Sequence, residues 1–171
     1  MKRILLTLAL IAGFALSASA QKFGYIDTEY ILKKVPAYKT AQDQLDKLSQ
    51  QYQKEVENRY AELETMYKKY QADKVLLTED MKQRRENEII TKEKDAKELQ
   101  RKYFGEDGAL SKKKDELFKP IQDKISAAVK EVATQDGYHV IFDTAANPSM
   151  IYTAPRYDLS EKVLEKLGYK N

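Results

Sequence analysis

The spacing of apolar residues changes character along the chain, and each spacing predicts a different element. Phe23, Tyr25 and Ile26 make a short β-prone run that predicts a strand over 22–27. Asp27-Thr28-Glu29 reads as a helix start, a capping residue followed by an early acid. Tyr30, Ile31 and Val35 follow at helical spacing, and Pro36 closes that helix or opens the next. Residues from about 37 to 134 are almost all helix formers. Within them Leu45, Leu48, Tyr52, Val56, Tyr60, Leu63, Tyr67 and Tyr70 form one apolar stripe on one helix face. Their mean step is about 3.6 residues, so the stripe runs nearly straight and strong supercoiling is not demanded.

Leu77-Thr78-Glu79-Asp80 interrupts this stripe, with Thr78 as a cap and two acids suited to a helix N-terminus. A weaker stripe follows through Met81, Ile89, Ala96, Leu99 and Tyr103. A single uninterrupted helix would leave both stripes in water, so the pattern predicts a reversal near Thr78. Antiparallel pairing about that point sets Tyr67 near Ile89, Tyr60 near Ala96, Val56 near Leu99 and Tyr52 near Tyr103. The expected arm covers 45–110 and is roughly 50 Å long at ~1.5 Å per residue. Gly105 and Gly108 break or kink the returning helix, each weakening it by about 1 kcal/mol relative to Ala, and mark a candidate hinge. A denser stripe resumes through Leu110, Leu117, Ile121, Ile125, Ala128 and Val132, with Pro120 expected to bend it locally.

Asp136-Gly137 reads as a helix stop. Tyr138 to Asp143 predicts a strand, Ala145 to Ser149 a turn, Met150-Ile151-Tyr152 a further strand, and Asp158-Leu159-Ser160 the start of a last helix carrying Val163, Leu164 and Leu167. The fold class is therefore α+β. A small β-rich body (21–44 and 111–171) carries a long antiparallel, coiled-coil-like helical hairpin. Three short strands are too few for a stable sheet, and their edges would stay open. Association of several copies through Phe23, Tyr25, Ile26, Val140, Ile141, Phe142 and Ile151 is the simplest remedy. A monomer whose strands pack on helix 110–133 is the alternative.

One apolar run falls outside this scheme. Met1-Lys2-Arg3, the stretch Ile4–Leu16 and Ala18-Ser19-Ala20 read as an export signal cleaved after Ala20, an uncleaved anchor being the alternative. The chain has no Cys, which excludes thiol chemistry and suits an oxidising compartment. Lys2 and Arg3 would leave with the signal, so 28 of the 30 basic residues face 27 acids and the balance is +1. Near neutrality argues against nucleic acid as a partner. His139 is the single histidine, no phosphate loop is present, and Asp27 and Asp143 at strand ends have no nucleophile or base organised beside them. No catalytic, cofactor or metal site is expected.

The layout resembles a known family. Lys22-Phe23-Gly24-Tyr25-Ile26-Asp27, the charged helical middle, Lys119-Pro120-Ile121-Gln122-Asp123-Lys124-Ile125, Val132-Ala133, Gly137-Tyr138, Val140-Ile141-Phe142-Asp143, Ile151-Tyr152 and Asp158-Leu159-Ser160 follow in the order of the Skp/OmpH periplasmic chaperones. The resemblance implies a homotrimer whose helical arms enclose unfolded outer-membrane proteins and keep them from aggregating without nucleotide. It implies no catalytic residues. A structural or tethering protein of the envelope is the competing reading. This near-neutral chain departs from the strongly basic better-known members.

Two sets of residues are candidates for client contact. Tyr52, Tyr60, Tyr67, Tyr70 and Tyr103 can offer amphipathic rings or serve hairpin packing. Lys68, Lys69, Lys74, Lys82, Arg84 and Arg85 surround the tip. With Asp73, Glu79, Asp80 and Glu86 among them they sum to +2, a mild basic patch for acidic clients, anionic lipid or lipopolysaccharide, or simply a solvated face.

Overall fold

The computed structural model describes residues 21–147 and 149–169; the export segment 1–20 and Pro148 of the predicted turn lie outside them. The described chain divides into two compact units, residues 21–34 with 124–169, and residues 35–123. The expected arm, 45–110, lies within the second of these units.

The first unit is built on a parallel strand pair. β1 (Phe23–Ile26) pairs with β2 (Val140–Asp143) in the register Phe23↔Val140, Gly24↔Ile141, Tyr25↔Phe142 and Ile26↔Asp143. Parallel strands need a long crossover, and here more than a hundred intervening residues supply it. Asp27 then turns the chain into α1 (Thr28–Lys34), its Oδ1 accepting from the Tyr30 amide at 3.0 Å. The last helix, which we number α5 (Ser160–Lys166), packs on α1. Ile31, Leu159, Val163 and Leu164 are all but sealed from solvent there, and Ile125, Ala128 and Val132 are buried too. The Leu159 amide donates to the Tyr25 carbonyl at 2.8 Å, so the chain entering α5 binds the side of β1 away from β2. Gly24 is required by this packing, because a Cβ there would stand 2.6 Å from Leu159 Cδ1. Ser160 is the buried polar residue of the unit. Its Oγ accepts from the Asp27 amide at 2.9 Å and donates to Asp158 Oδ1 at 2.6 Å, so burial leaves it satisfied.

One predicted strand does not form. Met150-Ile151-Tyr152 is irregular, with Ile151 98% and Tyr152 82% exposed. Its composition suits a strand, but it has no ladder partner among the described residues. The strand predicted over 138–143 begins at Val140, since Tyr138 still bonds back to the Ala133 carbonyl at 2.9 Å, past the left-handed Gly137.

The second unit is the helical hairpin. α2 (Pro36–Asp73) is 38 residues, about 57 Å at 1.5 Å per residue. A 3₁₀ turn (Lys74–Leu76) ends it. α3 (Glu79–Phe104) returns, capped by Thr78, whose hydroxyl accepts from the Met81 amide at 3.4 Å, with Glu79 and Asp80 in its first turn. The buried and half-buried positions of α2 and the turn include Ser49, Val56, Leu63, Tyr70 and Leu77, and those of α3 include Lys82, Ile89, Ala96 and Tyr103. Both sets recur every seven residues, the repeat of a supercoiled pair rather than of a straight stripe. Tyr67 therefore falls outside the seam, 52% exposed, and Met66 takes the expected place beside Ile89.

After Phe104 the chain makes a closed turn. The Gly105 amide bonds to the Arg101 carbonyl at 2.8 Å, Gly108 to Gly105 at 2.9 Å and Lys112 to Gly108 at 3.1 Å. α4 (Ala109–Asp136) follows and passes through Pro120 without ending. Its first half contacts α2 through an edge-to-face pair, Tyr38 and Phe118, with centroids 5.3 Å apart.

Candidate functional surfaces

The hairpin seam joins tyrosine rings to polar acceptors on the opposite helix. Tyr52 stacks on Tyr103 at 3.9 Å between centroids, and the Tyr103 hydroxyl donates to Glu55 at 2.7 Å. Tyr60 donates to Gln100 at 3.0 Å and Tyr70 to Glu86. The hydrogen bond to Glu86, together with desolvation, pushes the Tyr70 phenol up to about 12, and Glu55 raises that of Tyr103 in the same way. Of the tyrosines singled out by sequence, Tyr70 is buried, Tyr52, Tyr60 and Tyr103 lie half-buried along the seam, and Tyr67 is exposed. A half-buried ring offers one edge to solvent while its hydroxyl is held, the arrangement an amphipathic contact needs.

The basic residues near the reversal are largely paired along their own helices. Lys68 meets Glu64 at 2.5 Å, Lys82 meets Glu79 at 2.7 Å, Arg84 meets Asp80 at 2.9 Å and Arg85 meets Glu88 at 3.3 Å. Glu64 and Glu88 lie just outside the stretch whose charge sums to +2. With them included, residues 64–90 carry six cations and six acids. Lys69 and Lys74 have no carboxylate within ion-pair distance among the described residues, and Lys74 lies 5.5 Å from the centre of the Tyr70 ring.

In the strand unit, Phe23 and Tyr25 share one sheet face with Val140 and Phe142. Tyr25 and Ile26 are buried within the unit itself, Ile141 is half-buried, and Phe23, Val140, Phe142 and Ile151 are exposed. The β2 edge away from β1 carries no strand among the described residues. Phe23, Tyr25, Tyr138, Phe142 and Tyr152 line an open cleft of about 890 Å³ together with Arg156. Sequence reasoning singled out neither Tyr138 nor Arg156 for this face. It also missed Glu55, Glu86 and Gln100 as partners of the tyrosines, because charged residues on a helix give no signal of which ring reaches them across a seam. The described residues hold no cluster of three or more potential metal ligands, and no helix among them is long and apolar enough to cross a membrane.

Residues 22–167 match the protein family described as outer membrane protein (OmpH-like). The chain belongs to this OmpH-like family. Among its relatives is the chaperone protein Skp of Vibrio cholerae, 32% identical over 96% of this chain and 92% of that protein. The chaperone protein Skp of Yersinia enterocolitica is 26% identical over 98% and 99% of the two chains. An uncharacterised protein of Aquifex aeolicus is 29% identical over 98% and 96%. The crystal structure of an OmpH-like protein from Caulobacter crescentus superposes with a TM-score of 0.69 at 13% identity, over 88% of this chain and 86% of that one. At that identity the likeness is one of fold, and it places the hairpin and small sheet in the OmpH-like architecture.

Proposed function

We propose that the chain is a periplasmic holdase that keeps unfolded outer-membrane proteins from aggregating, without nucleotide. Membership of the OmpH-like family and the Skp relatives support the chaperone reading. The structural feature that carries it is the hairpin: two long helices, polar outside, along whose seam Tyr52, Tyr60 and Tyr103 lie half-buried with part of each ring open to solvent. Such rings give many weak contacts to an unstructured chain and commit it to no one conformation. Tyr52, Tyr60 and Tyr67 contribute ring contacts, whereas Tyr70, expected from the sequence to join them, is buried and packs the seam; the paired Lys68, Lys82, Arg84 and Arg85 keep the surface hydrated. Lys69 and Lys74, outside these pairs, are the tip cations free to meet an acidic segment of a client, on a tip whose charge sums to zero over 64–90.

The exposed face of the strand pair supports self-association. Phe23, Val140 and Phe142 are partly exposed beside a β2 edge that no strand pairs among the described residues, and Ile151 is almost wholly exposed in a strand-like segment that joins no ladder among them. In a homotrimer this segment would find its ladder in a neighbouring copy, and three hairpins would enclose the client. Export and cleavage after Ala20 complete the reading. The test is aggregation of a urea-unfolded outer-membrane β-barrel diluted into buffer without nucleotide. The mature chain is expected to suppress light scattering at a modest molar excess. Unchanged scattering over a several-fold excess would refute the holdase.

A further inference from the structure

The closed end of the hairpin exposes apolar side chains that the hairpin does not use. Val75 is 88% and Leu76 83% exposed, both in the 3₁₀ turn, and Met81 stands half out of solvent contact on the first turn of α3. The other exposed large apolar residues of α2, α3 and their turn are Tyr67, Ile90 and Phe104, and none of these three is as exposed as Val75 or Leu76. The seam is already closed by Leu77, which sits with Met66, Tyr70 and Ile89. A turn facing water normally carries polar or turn-forming residues. Neither Val75 nor Leu76 caps a helix or is buried in the seam.

The surrounding charge narrows what such a surface can hold. Residues 64–90 are neutral in sum, and four of their six cations are held by acids on the same helix at 2.5–3.3 Å. A surface built for phosphate-rich membranes carries unpaired Lys and Arg in excess. A surface neutralised in place favours a partner without net charge. We propose that Val75, Leu76 and Met81, exposed in the turn and the first turn of α3 at the closed end of the hairpin, form an apolar contact for uncharged, apolar stretches of an unfolded polypeptide. This deepens the holdase reading and rests on it, since only an unfolded client presents such stretches.

The experiment compares the mature chain with the variant Val75→Ser/Leu76→Ser/Met81→Gln and with Lys69→Gln/Lys74→Gln. The probe is a fluorescein-labelled uncharged peptide of Val, Leu and Phe spaced by Ser and Asn, followed by anisotropy at low and high salt. Circular dichroism should be the same for all three proteins, because the substituted side chains are exposed. The apolar-tip variant is expected to bind the peptide about tenfold more weakly, given the loss of aliphatic contacts. The lysine variant should bind within about twofold of the parent, with little salt dependence. Several outcomes overturn the proposal: unchanged binding by the tip variant, loss in the lysine variant with strong salt dependence, tip-dependent binding to phosphatidylglycerol vesicles without peptide binding, or a changed oligomeric mass in the tip variant. If the tip variant still suppresses β-barrel aggregation and still binds peptide, the tip proposal fails and the holdase stands. If the parent suppresses no aggregation at all, the holdase itself fails.

Discussion

Ser160 shows how one buried hydroxyl ties three parts of the strand unit together. It accepts from the amide that starts the turn into α1 and donates to Asp158 beside β1. Ser160→Ala would leave the Asp27 amide without its partner, and a cost of about 1–3 kcal/mol in urea denaturation is expected. Titration separates the two units. Tyr70 is held as the neutral phenol by its bond to Glu86, so its folded pKa lies above the ordinary 10.0, at about 12. The stability this contributes is complete below pH 10 and is lost as pH rises toward 12. Hairpin helicity should fall over that window, and less steeply in Tyr70→Phe. In the strand unit Lys166 holds Glu131, and Lys162 holds Asp136, below their ordinary values of 4.5 and 3.8. That contribution is present above those values and disappears as pH falls through the depressed ones. Acid should therefore loosen the α4–α5 ties, by a small amount because these pairs are exposed. Amide exchange in α5 at pH 3 and pH 7 checks it.

At the scale of elements, the hairpin was legible because its information is periodic. Two stripes and one capped interruption at Thr78 placed the reversal, and the Tyr52–Tyr103 pair follows from register alone. The seven-residue repeat was not legible, since Tyr67 looked as good a seam residue as Met66. Only the partner helix decides between neighbouring columns. The Met150–Tyr152 strand was misplaced for the same reason: a strand requires a second backbone, and one chain's sequence does not say where that backbone is. The candidate hinge is also a matter of geometry beyond sequence. Each of its three amide bonds is 3.1 Å or shorter, and Gly108 is buried. A Cβ at Gly108 would lie 2.7 Å from the Tyr103 carbonyl oxygen, and one at Gly105 2.5 Å from that of Arg101. Gly108→Ala should lower the urea midpoint, with α3 and α4 fraying nearest the turn. Slow amide exchange through 105–112 would mark a fixed kink, and fast exchange there a hinge.

For the whole molecule, the exposed Phe142 and Ile151 are the residues on which self-association turns. Phe142→Asp/Ile151→Asp should lower the mass in solution to that of a single chain and leave the α1–α5 core intact, because neither side chain belongs to it. The account depends on several hairpins acting together on one client, and a direct measure is size-exclusion chromatography with multi-angle light scattering. The mature chain is mixed with a urea-unfolded outer-membrane β-barrel as the denaturant is diluted, with no nucleotide present. The expected result is a soluble complex whose mass equals one trimer plus one client. Client found only in the pellet, with the protein eluting alone as a single chain, would contradict the account.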